Sequence, residues 1–161
     1  MKKLILSLTI LSFYACSGPI QGNFHPVRVR PLTKKQAARL LVGARDHLGE
    51  PYKFGGDSPD GWDCSGFASV MFYDYLSYQI PRDTKALFSR SVKIPNSQKR
   101  PGDLVFFKID SKSASHVGIY TGGDRFIHAS VSEGIIISSL KDGYYRNSFI
   151  GFRRPLLAQA D

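Results

Sequence analysis

The sequence predicts an α+β fold, with N-terminal helices packed on an antiparallel sheet of about five strands. Three features lead to that expectation. Apolar residues recur at helical spacing between residues 33 and 76, short strand-like runs follow one another after Pro101-Gly102, and a Gly122-Gly123-Asp124 turn joins two of those runs. A chain of 161 residues, 42% apolar and 22% charged, also has the length and balance of one globular domain with one core.

The chain opens with Lys2 and Lys3 followed by an apolar run from Leu4 to Phe13, the pattern of an export signal. That run is too short to span a bilayer. Phe13-Tyr14-Ala15-Cys16-Ser17 resembles a bacterial lipobox. The resemblance implies that residues 1–15 are a lipoprotein signal peptide and that Cys16 becomes the lipidated first residue. With Ser17 next to it, the protein is expected at the cell envelope, anchored in the outer membrane and facing the periplasm. Residues 16–32, polar and carrying Gly18, Pro19, Gly22, Pro26 and Pro31, read as a tether to a domain covering 33–161.

Thr33 and Gln36 match a capping box, so the first helix is predicted to begin there. Ala37, Leu40, Leu41, Ala44 and Leu48 form its apolar face, Gly49 fits a C-terminal cap, and Pro51 prevents continuation. His47 falls near that C-terminus and reads as structural. Residues 50–62, rich in Gly, Pro and Asp, read as a loop. A second helix is predicted from Asp63 or Cys64 to about Leu76, burying Phe67, Val70, Met71 and Tyr75. Asp83 or Thr84 caps a brief third helix. The predicted strands are Leu104 to Phe107, Val117 to Tyr120, Phe126 to Ala129, Ile135 to Ile137 and Phe149 to Phe152. Asp103 reads as a turn residue before the first of them.

The formal charge of +9 admits anionic partners, but the basic residues are scattered and carry no aromatic-interleaved stripe. They read as solvated surface with some attraction for an acidic polymer, and no nucleic-acid partner is expected.

Only two cysteines exist. If Cys16 carries lipid, Cys64 has no disulfide partner, and a lone thiol kept in an exported chain suggests a nucleophile. The first turn of a helix favours a thiolate, and the Cys64 backbone N–H is placed to donate to an oxyanion. A base and an orienting group are then needed. His116 and His128 fall on neighbouring strands, so both imidazoles are expected on one patch of sheet under the Cys64 helix. His116 would take the thiol proton and His128 would hold its tautomer. Two other readings stay open on the residues alone. Cys64, His116 and His128 could be ordinary core residues, or three zinc ligands, although their spacing matches no compact zinc motif.

Five blocks then resemble the NlpC/P60 cell-wall peptidases: Leu48 to Gly56, Asp63-Cys64-Ser65-Gly66-Phe67, Arg100 to Phe107, Ser115 to Tyr120, and Phe126 to Ser130. They come in the family's order and span roughly residues 34–154. The resemblance implies a papain-like α+β fold, Cys64 as nucleophile, His116 as base and His128 as third member, with no cofactor and no metal. It also implies that Tyr52, Asp63 and Ser65 hold the amino end of a peptidoglycan stem peptide. For Asp63 the role of helix N-cap is equally good chemistry, and the two are compatible. The expected partner is therefore the stem peptide, and a monomer is expected. The favoured bond joins D-glutamate to a diamino acid, with the D-Ala–diaminopimelate cross-link as rival. From another class, a non-catalytic wall-binding lipoprotein has no need of Cys64, His116 and His128 together.

Overall fold

In a computed structural model of the chain, which describes residues 29–159, Thr33 and Gln36 bond each other reciprocally. Gln36 N donates to Thr33 Oγ1 at 3.2 Å and Thr33 N to Gln36 Oε1 at 2.9 Å. This capping box starts α1 (Lys34–Asp46). The signal segment, Cys16 and most of the tether lie outside the described residues. Leu32, the last residue assigned to the tether, already packs against the core.

α1 buries Ala37, Leu40, Leu41 and Ala44 as its apolar spacing requires. It ends earlier than expected, at Asp46, with His47 as its C-cap. Leu48 therefore leaves the apolar face and is 45% exposed. His47 Nδ1 lies 2.9 Å from Glu50 Oε2, which also accepts from Trp62 Nε1. The loop that follows is more ordered than its composition suggests. It carries a miniature antiparallel ladder, β1 (Asp57–Ser58) against β2 (Gly61–Trp62). Trp62 is almost fully buried and meets His47 and Phe67 edge-on, so the residues just before Cys64 are pinned.

α2 (Cys64–Leu76) follows, N-capped by Asp63. It buries Cys64 through Ala68, Met71 and Phe72, while Val70 and Tyr75 are only half-buried. The difference from the expected stripe has a simple cause. α2 is packed on one side by α1 and on another by the sheet, so more than one face is covered. Next come β3 (Tyr78–Gln79), α3 (Thr84–Ser89) with Asp83 as N-cap, and β4 (Ser91–Ile94). The chain then forms β5 (Leu104–Phe107), β6 (His116–Gly122), β7 (Arg125–Ser130) and β8 (Gly134–Ser139). It closes with α4 (Gly143–Ser148), β9 (Phe149–Pro155) and β10 (Ala158–Gln159), which pairs with β3.

The main sheet runs β4-β9-β5-β6-β7-β8, antiparallel throughout. It has six strands, the five expected ones and β4. The β6–β7 hairpin turns on Gly123 and Asp124, both at positive φ, which a two-residue loop between right-twisted strands demands. All of β5 is buried because both sheet faces are covered. Leu104 and Phe106 join the core beneath α1 and α2. Val105 and Phe107 join a second core with Ile94, Tyr120, Phe126 and Phe152, against which Tyr145 and Phe149 pack.

Asp103 does more than turn the chain. It accepts from Arg100 N at 2.7 Å and takes a two-pronged hydrogen bond from Arg154, at 2.7 and 2.8 Å, with both side chains buried. Removing one member leaves the other charged and buried. Asp103→Ala is therefore expected to lower stability by about 3–5 kcal/mol, read from urea unfolding. A loss below about 1 kcal/mol would contradict a structural role for this pair.

Candidate active site

Asp63 fixes the start of α2: its Oδ1 accepts from Gly66 N at 2.6 Å and from Ser65 Oγ at 3.0 Å. That places Cys64 in the first turn, buried to 9% exposure, where the sequence expects it. The Sγ lies 3.6 Å from Thr84 Oγ1, and the N–H groups of Val117 and Ser65 also reach it. Burial nonetheless raises the Cys64 pKa more than these donors lower it, and the nearby Asp63 carboxylate adds to the rise. The resting group is a thiol, so any nucleophilic use of it needs a base.

His116 begins β6 and His128 sits in β7, on strands joined by the Gly123-Asp124 turn. Their rings are perpendicular, with His116 Nε2 2.8 Å from His128 Nδ1. The two nitrogens are used on each other, leaving His116 Nδ1 as the ring nitrogen not engaged in this pair. The face they occupy differs from the one expected. Val117, Ile119, Ile127 and Ala129 point at α2, whereas the imidazoles alternate to the opposite face beside Phe107 and Phe126. Cys64 and His116 line one cavity where the first turn of α2 reaches the beginning of β6, with the Val117 N–H next to His116 reaching the Cys64 sulfur. Gly118 keeps this face open: a Cβ there would stand 2.6 Å from the Phe126 ring and 3.2 Å from His128 Cβ.

Burial lowers the His116 pKa to about 4. It holds His128 well below its ordinary value too, with repulsion from His116 contributing. Both rings are neutral at neutral pH. His128 Nε2 faces two hydroxyls, Ser138 Oγ at 2.9 Å and Tyr145 Oη at 3.3 Å.

Cys64 and Tyr52 stand where two lobes of a cleft meet. A cavity of about 580 Å³ is lined by His116, His128, Ser130, Glu133, Tyr144 and Tyr145. Another of about 440 Å³ is lined by Asp63, Ser65, Arg82, Thr84 and Ser115. Burial, and then the proximity of Cys64 and Asp63, raise the Tyr52 pKa, so its phenol stays a proton donor. Cys64, His116, His128, Tyr52, Asp63 and Ser65 are thus all brought to one cleft, while Cys16 lies outside the described residues. Arg82 is an addition. Its Nη1 is 3.2 Å from Asp63 Oδ2, Nε bonds Asp57 and Nη2 bonds Gly55 O, so the Asp63 charge is already partnered. Thr84, Ser138 and Tyr145 are also additions, polar side chains from three different elements whose meeting no local spacing announces.

Three relatives share this region. The probable endopeptidase NlpC of Escherichia coli K12 is 42% identical over 120 residues, covering 71% of this chain and 78% of its own length. The murein DD-endopeptidase MepS/murein LD-carboxypeptidase of the same strain is 37% identical, covering 74% and 63%. The gamma-DL-glutamyl hydrolase of Bacillus subtilis is 39% identical, and the match covers 71% of this chain but only 28% of that protein. Among solved structures, an NlpC/P60 family protein from Bacillus cereus superposes with a TM-score of 0.69 at 32% identity, over 74% of this chain and 40% of that one. The α+β fold is the papain-like one expected from the resemblance. The family model for NlpC/P60 matches residues 49–154, the stretch that contains every described residue of the cleft, and this chain belongs to the NlpC/P60 family.

Proposed function

We propose that this protein is a peptidoglycan endopeptidase that hydrolyses stem-peptide amide bonds through the Cys64 thiolate. One observation carries the reading: the His116–His128 hydrogen bond of 2.8 Å in the cavity that Cys64 also lines. The names of the relatives support the substrate class, two of them naming murein or gamma-glutamyl hydrolysis.

The chemistry follows from the geometry. His116 Nδ1 takes the thiol proton, and Sγ attacks the scissile carbonyl. The developing oxyanion is met by the Cys64 N–H and the Tyr52 hydroxyl, both at the meeting point of the lobes. His116 returns its proton to the leaving amine, giving a thioester, which water hydrolyses with His116 again as base. No cofactor enters these steps. Asp63 and Ser65 receive the amino end of the stem; an ammonium group there would share the Asp63 carboxylate with Arg82. Cys16 carries the lipid and residues 16–32 the tether, holding a monomeric enzyme at the outer membrane within reach of the wall.

The bond favoured joins D-glutamate to a diamino acid. The rival, the D-Ala–diaminopimelate cross-link, has the DD-endopeptidase relative in its support. Incubation with a free L-Ala-D-Glu-diaminopimelate stem and with a cross-linked muropeptide dimer, followed by mass spectrometry, separates them. Cleavage of the stem alone supports the D-glutamyl bond, conversion of dimer to monomers supports the cross-link, and cleavage of neither sinks the peptidase reading.

A further inference from the structure

Two hydroxyls stand behind the histidine pair. Ser138 comes from β8 and Tyr145 from α4, and both reach the same atom, His128 Nε2, at 2.9 and 3.3 Å. Ser138 also interacts with Tyr145, lowering its pKa. The register of β7 against β8 pairs His128 with Ile136, so Ser138 stands diagonally across the ladder on the same face as the histidine. Tyr145 is locked by Phe107, Phe126 and His128, all in ring contact with it.

The proton count along this chain of atoms is tight. Each neutral imidazole carries one N–H, on one nitrogen or the other. For His116 Nδ1 to accept the thiol proton, His116 must carry its own hydrogen on Nε2 and donate it to His128 Nδ1. His128 is then obliged to carry its hydrogen on Nε2. That N–H is buried and needs an acceptor, and among the described residues Ser138 and Tyr145 face it.

We propose that Ser138 and Tyr145 are positioning residues that accept the His128 Nε2–H and so stabilise the tautomer pair in which His116 Nδ1 is free of hydrogen and open to Cys64. This rests on the peptidase reading only for its use, since the tautomers exist without substrate. Without the hydroxyls, an unpaired His128 Nε2–H in an apolar box is unfavourable. The hydrogen moves to His128 Nδ1, which donates to His116 Nε2, and His116 must then carry its hydrogen on Nδ1, the nitrogen facing the thiol. Both rings invert together and the base is blocked. The arrangement extends the orienting group of a catalytic triad by one further layer.

Long-range ¹H–¹⁵N correlation spectra of the ¹⁵N-histidine-labelled protein test this directly. In the wild type both His116 and His128 are expected as Nε2–H tautomers. In the Ser138→Ala/Tyr145→Phe double variant both are expected as Nδ1–H. Iodoacetamide alkylation of Cys64 at neutral pH should fall about tenfold in that variant. Turnover should drop through kcat with KM nearly unchanged, and Ser138→Thr, which keeps a hydroxyl, should restore the wild-type tautomers. A wild-type spectrum with hydrogen on His116 Nδ1 would overturn the proposal even if the double variant fails to fold. So would a folded double variant with unchanged tautomers and alkylation. If the tautomers behave as expected but the wild type cuts no muropeptide, the peptidase reading fails and the tautomer device stands.

Discussion

Cys64→Ala is expected to abolish stem-peptide hydrolysis, a loss of about four orders of magnitude or more, while leaving the fold in place. The reason is that no other described side chain in the cleft can replace the sulfur. The Ser65 hydroxyl donates to Asp63, and Thr84 offers only a hydroxyl beside the thiol. Loss of one sulfur from this buried position beside the cleft should lower stability by no more than about 2 kcal/mol. Product analysis beside thermal unfolding checks both halves. Residual activity near the wild-type level would remove Cys64 from the mechanism, and a collapsed fold would mean that the thiol is chiefly a packing group.

His116→Gln should have the second-largest effect, about three orders of magnitude in kcat/KM, because a thiol whose pKa is raised by burial needs a base. Alkylation of Cys64 in this variant should require more alkaline pH than in the wild type; an identical pH dependence would argue against His116 as base. The same histidine governs acid behaviour. Its folded pKa is about 4 against an ordinary 6.5, so between these values the unfolded chain binds the extra proton and the folded one does not. Stability is therefore full above about pH 6.5 and declines as pH falls towards about 4. Activity should fall over the approach to pH 4 as His116 becomes imidazolium and can no longer accept the thiol proton. A His116→Gln variant should lose part of the acid sensitivity of unfolding, and an undiminished slope would place that sensitivity elsewhere.

The parts of this protein that local pattern announces are those where one segment decides its own structure. Thr33 and Gln36 announced α1, and Asp63 announced the start of α2 and with it the position of Cys64. Short apolar runs announced five of the six main strands. β4 escaped because Ser91, Val92, Lys93 and Ile94 form a short edge strand whose partner, β9, lies some sixty residues on. α4 escaped because it begins with a glycine and buries none of its residues in the way that makes a helical stripe. The site followed the same rule. Cys64, His116 and His128 stood out as chemistry-bearing residues, but which sheet face the imidazoles take depended on alternation with Val117 and Ile127, and what they share with Cys64 is a cavity rather than the sheet face under α2. Arg82, Ser138 and Tyr145 gave no signal because their roles arise only when separate elements pack. Tyr145 in particular is brought to His128 by a helix that the sequence pattern does not reveal.

The central claim is that a stem peptide is cut through a covalent bond to Cys64. Acid-quenching the enzyme during turnover of a muropeptide, digesting it and weighing the fragment that contains Cys64 tests that claim most directly. The expected result is a mass increase equal to the acyl part of the substrate on that fragment, removed by hydroxylamine and absent in Cys64→Ala. Steady release of product with no adduct on that fragment, together with undiminished hydrolysis by Cys64→Ala, would contradict it.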